Sequence, residues 1–66
     1  MGKNKRDVDP QVKRDEIEAA ALQLFTEHGY EATSMAMVAA HAGVAPNTLY
    51  WYFKNKDDML VAALNR

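Results

Sequence analysis

Ten consecutive residues hold most of the side chains through which this chain can act on another molecule: Asn47, Thr48, Tyr50, Trp51, Tyr52, Lys54 and Lys56, with Pro46 just ahead of them. Carboxamide, hydroxyl and ring N–H groups reach phosphates and base edges, and ring faces pack on thymine methyls. Bond-making chemistry has no comparable set. His28 and His41 are single histidines with no cysteine and no ligand-spaced partner, so no metal site is expected. No serine has a base in a recognisable motif, and there is no glycine-rich phosphate loop. Glu16 and Glu18, like Asp57 and Asp58, read as helix-start charges before they read as acid/base pairs. Neither an enzyme nor a cofactor is expected.

These side chains need helices to hold them. Asp9-Pro10 is a start signal, a capping carboxylate followed by proline at the first helical position. Ile17, Ala20, Ala21, Leu24 and Phe25 then recur at helical spacing up to Gly29, a left-handed stop with Tyr30 as its apolar contact, which predicts a helix over 10–28. Thr33 and Ser34 are the next candidate caps, ahead of a short buried helix over 35–42 that Gly43 breaks. Val44 is an isolated apolar residue in that break, tucked into the core. Pro46 opens a third helix carrying Leu49 and Phe53 four apart on one face. Asn55 caps a fourth, with Met59, Leu60, Ala63 and Leu64 as its stripe and no stop signal before Arg66. The class is all-α, and the pair joined through Ala42-Gly43-Val44-Ala45 matches a helix-turn-helix.

With Leu49 and Phe53 facing inward, Asn47, Thr48, Trp51 and Tyr52 fall largely outward and Tyr50 at the flank. Exposed aromatics on a short uncharged helix are costly unless something covers them, and the major groove of DNA accepts such a helix. The competing arrangement folds Tyr50 or Trp51 back into the core. Lys56 stands at a helix N-terminus, where its charge opposes the macrodipole; a phosphate lodged there makes the free N–H groups and the ammonium favourable together. Its alternative is a solvated lysine in a loop.

At 66 residues, with no cysteine to cross-link it, the chain makes one small domain with a thin stability margin. It holds 48% hydrophobic and 26% charged residues, which fits a globular chain and not a disordered one. No stretch nears the ~20 apolar residues of a membrane span, and MGKNKRDVDP lacks the apolar core of a secretory signal, so a cytoplasmic setting is expected. The net charge of −1 is no footprint of a nucleic-acid binder, yet its distribution is uneven. Residues 1–14 carry five bases against two acids, 15–31 five acids and no base, and 32–56 no acid at all, ending in Lys54 and Lys56. That acid-free run can face a polyanion without repulsion, or is simply rich in core residues.

The stretch AALQLF at 20–25, Gly29-Tyr30, Thr33-Ser34, Val38-Ala39, and the run AGVAPNTLYWYFKNKDDML in register with LFTEHGY closely resemble the DNA-binding domain of TetR-type transcriptional regulators, over about residues 12–64. The resemblance implies a homeodomain-like three-helix head with a helix-turn-helix at about 34–53, plus the start of a fourth helix. Residues 1–9 would form a mobile basic arm and 10–66 the DNA-binding domain. The recognition helix, 46–53, would enter the major groove. A ligand-binding and dimerisation domain, absent from this chain, would carry a small-molecule effector. Through it a homodimer would read palindromic double-stranded DNA, its half-sites about one helical turn apart, as a ligand-responsive repressor.

Carried over by position, Ser34 touches a phosphate, Thr48, Tyr50 and Trp51 contact phosphates and bases, Tyr52 fills a position often held by His or Tyr, and Lys56 clamps the backbone. With Pro46 and Asn47, these are the expected DNA-binding residues. Three departures from the family pattern matter. Ala45 replaces a common serine and loses a side-chain cap. Asn47 replaces a frequent glycine and adds an amide able to read a base edge. Met35, Ala36 and Met37 stand where polar residues often sit, and the methionines read as packing. The rival reading is a small helical protein-interaction module anchored by Trp51 and Tyr52.

Overall fold

The computed structural model describes residues 10–65. They form four helices and, among the described residues, no strand: α1 (Pro10–His28), α2 (Met35–Ala42), α3 (Pro46–Tyr52) and α4 (Lys56–Leu64). The expected basic arm and the Asp9 cap lie outside the described residues. α1 packs against both α2 and α4, and α3 is carried by α2. Ile17, Ala21 and Leu24 of α1 meet Val38 and Ala39 of α2, Leu49 of α3, Phe53 after it, and Met59 of α4 in one core. The three α1 residues follow the four- and three-residue steps that keep side chains on one helix face.

The turns are built from local chemistry. Gly43 adopts φ +76°, its N–H bonds to the Ala40 carbonyl at 3.2 Å, and the Val44 N–H bonds to the Ala39 carbonyl at 2.9 Å. This paired arrangement closes α2 and turns Val44 against the core. Ser34 caps α2, accepting the Met37 N–H at 3.1 Å. Thr33 is buried instead: its hydroxyl faces the Gly29 and Leu24 carbonyls at 2.8 and 3.2 Å, tying the loop to the end of α1. Ala45 gives α3 no side-chain cap, and Pro46 supplies its first turn. Asn55 caps α4 by accepting the Asp58 N–H at 2.9 Å.

Four expectations need correction. The third helix ends at Tyr52 and not at 53: Phe53 gives its N–H to Leu49 but turns extended, φ −138° and ψ 130°, which drives its ring into the core. Tyr52, expected to face outward, is half-buried against the core. Each residue advances roughly 100° round a helix, so relative to Leu49 Tyr52 lies about 60° from the inward direction and Tyr50 about 100° from it. The fourth-helix stripe is Met59 with Leu60, Ala62 and Ala63, and Leu64 is exposed. Tyr30 is not merely an apolar contact of the Gly29 turn; its polar atoms reach the start of α4.

Candidate nucleic-acid interface

One side chain of α3, Leu49, is fully buried, and it sets which way the rest point. Pro46, Asn47, Thr48, Tyr50 and Trp51 are all exposed, Trp51 to 74%. The arrangement that folds the indole into the core is not what forms. Asn47 and Trp51 are four apart and share the outermost face, with Tyr50 beside them. The indole and the Tyr52 ring meet in a T-shaped pair, centroids 4.9 Å apart, so a half-buried ring braces an exposed one.

Ser34 lies exposed at the start of α2. Its oxygen takes the Met37 N–H, which leaves its own O–H for an outside acceptor. Met35 and Met37 are partly buried and pack against the core.

Lys56 is only partly exposed. Its Nζ donates to the Tyr30 carbonyl at 2.8 Å and sits 4.3 Å from the centre of the Tyr30 ring. At the first position of α4 the ammonium thus leans on a carbonyl and a ring face, which offsets its poor placement against the helix dipole. The Tyr30 hydroxyl donates to Asp57, and the ring lies 5.3 Å from that of Phe25. Holding the phenol proton for Asp57, with some burial and the nearby charge of Asp57 and Glu31, pushes the Tyr30 pKa up to about 12. Asp58 accepts the Lys54 N–H at 3.2 Å. Both acids that follow the acid-free run are therefore engaged by groups of the chain itself.

Position-by-position reading of the sequence missed two features. The Tyr30–Lys56–Asp57 cluster joins residues 26 and 27 apart, and no local spacing signals it. Likewise, Arg14 pairs with the buried Glu18 at 3.5 Å and lies 4.7 Å over the Phe53 ring, so it braces the chain just beyond α3. His41 meets the Gln23 amide at 3.1 Å, and no group of three His, Asp or Glu side chains among the described residues could hold a metal. No described helix is long and apolar enough to cross a membrane.

Residues 17–63 match the family described as bacterial regulatory proteins, tetR family. The chain is 44% identical over 43 residues to the fatty acid metabolism regulator protein of Bacillus subtilis, covering 65% of this chain and 22% of that protein. It is 39% identical over 51 residues to the HTH-type transcriptional regulator AcrR of Shigella flexneri, covering 77% and 24%. It is 48% identical over 54 residues to the HTH-type transcriptional repressor KstR of Rhodococcus jostii, covering 82% and 26%. The chain thus spans about a quarter of the length of these curated relatives. No solved structure matches it.

Proposed function

Since the chain belongs to the tetR family of bacterial regulatory proteins, we propose that it is the sequence-specific DNA-binding head of a transcriptional regulator, a ligand-responsive repressor, working in the cytoplasm. α3 enters the major groove. Asn47, Thr48, Tyr50 and Trp51 meet bases and phosphates there, with Pro46 and Tyr52 at its edges. Ser34 and Lys56 bear on the backbone to either side. Double-stranded DNA is the partner, as a palindromic operator read by a homodimer made through a further domain that carries the effector. Backbone contacts set register and affinity, and groove contacts set sequence. No catalytic step enters this reading.

One observation carries it: a 74% exposed indole on the outward face of a helix that lies within 25 residues free of carboxylates. The chain has a single tryptophan, so that indole is also the probe. Titrating the chain with duplex oligonucleotides at rising salt should change Trp51 fluorescence and weaken binding steeply, by roughly 0.9 in log–log slope per phosphate neutralised. Binding indifferent to salt, or no stronger to a duplex than to a neutral polymer, overturns it. Salt-indifferent capture of a partner protein is what a protein-interaction module would give.

A further inference from the structure

α3 carries seven side chains, PNTLYWY, and their chemistry limits which base they can identify. A guanine is identified by paired donors on Arg or Lys, a cytosine by a carboxylate, and an adenine by the donor–acceptor fork of Asn or Gln. α3 holds no Arg, no Lys, no carboxylate and no Gln, and it holds one Asn. The hydroxyls of Thr48, Tyr50 and Tyr52 donate or accept as needed, the indole N–H of Trp51 only donates, and the exposed rings add apolar contact to a thymine methyl, so none of them identifies a base by a paired hydrogen bond. We propose that Asn47 is the specificity-determining residue of α3 and that each half-site carries an adenine opposite its first turn, read through N6 and N7. This rests on the reading of α3 as a major-groove helix.

The position suits the role. Asn47 is exposed, in the first turn of α3, where a recognition helix meets base edges. An asparagine at a helix start commonly spends its oxygen on a backbone N–H. Here the carboxamide makes no hydrogen bond among the described residues, so its oxygen and both amide protons remain available. Neighbouring Trp51 and Tyr50 share its face and can exclude water from a base pair beneath it. An Asn–adenine pair in such a setting takes up the N6 donor and the N7 acceptor of the major-groove edge at once, which a rotating hydroxyl cannot do.

Selection of the 66-residue chain against a randomised duplex library at low salt tests the assignment. Enriched duplexes should share an A·T pair at one fixed position of the half-site. Asn47→Ala should make that position degenerate and leave the others intact. Changing the adenine should weaken the native chain by about 5-fold to 150-fold. Replacing it with 7-deazaadenine, which lacks only the N7 acceptor, should give a loss near the lower end of that range without altering the protein at all. An adenine preference that survives Asn47→Ala, or indifference to 7-deazaadenine, overturns the assignment while leaving DNA binding in place. A library that yields no enriched duplex overturns both.

Discussion

The ammonium of Lys56 lies 2.8 Å from the carbonyl oxygen of Tyr30 and 4.3 Å from the centre of its ring, so the first residue of α4 is bolted to the turn that follows α1. The same tyrosine closes the joint from its other end by donating its hydroxyl to Asp57. The turn leads through Thr33 to Ser34, and the chain before Lys56 leads back to α3. The two expected backbone contacts, Ser34 and Lys56, are thereby held in one frame. Tyr30→Phe removes the hydroxyl and keeps the ring, and it should lower the urea midpoint slightly. Tyr30→Leu also removes the ring face under the ammonium and should lower it further. Chemical denaturation followed by circular dichroism orders the three proteins, and equal midpoints would mean that the hydroxyl and ring of Tyr30 contribute nothing to the joint.

The same hydroxyl sets an alkaline limit. Tyr30 is raised in the folded chain from an ordinary 10.0 to about 12. Between those values the native state binds the phenol proton more tightly than the unfolded chain does. The resulting stability is complete below pH 10 and is lost as pH rises towards 12. Denaturation midpoints measured from pH 9 to 12 should fall more steeply for the native chain than for Tyr30→Phe. Parallel curves would show that the Asp57 bond does not hold the proton.

Much of this geometry can be read locally. The start of α2 follows from Ser34, the break from Gly43 and Val44, the start of α4 from Asn55, because each cap acts within three or four residues. The outward stance of Trp51 follows from the inward spacing of Leu49 and Phe53. Tyr52 did not follow, because its angle to Leu49 makes it a neighbour of the core. The partners of Tyr30 and Arg14 depend on which helices meet, and helical periodicity carries no information about that.

Gly43 isolates a purely conformational cost. Its φ of +76° lies in the left-handed region, and a Cβ built there meets nothing within 4 Å beyond its immediate chain neighbours. Gly43→Ala should therefore destabilise by about 1–2 kcal/mol, from the local clash of Cβ with its own backbone and not from any packed neighbour. Gly43→Asn should cost less, since asparagine tolerates that region. Thermal melts distinguish the two. Equal losses would point to a contact of the turn instead of its backbone angle.

Leu49→Ala tests what orients α3. The side chain is fully buried and is the only one α3 buries that completely among the described residues. Its loss should cost about 2–5 kcal/mol, a large part of what a domain of this size has to spare. Far-ultraviolet circular dichroism should show much of the helix content gone at room temperature. Retention of the native signal would mean that α3 is seated by something other than Leu49.

Trp51→Ala and Lys56→Ala should separate surface from frame. Trp51 is 74% exposed and its ring pairs with that of Tyr52, so its removal should change stability by no more than about 0.5 kcal/mol while weakening duplex binding. Lys56 is different, because its ammonium is already committed to Tyr30. Lys56→Ala should lower both the melting temperature and the affinity, whereas Lys56→Arg keeps the charge and should recover part of each. Duplex titrations run beside thermal melts decide it. If Lys56→Ala weakened binding at unchanged stability, the lysine would act on phosphate alone, and the joint with Tyr30 would have no share in presenting α3.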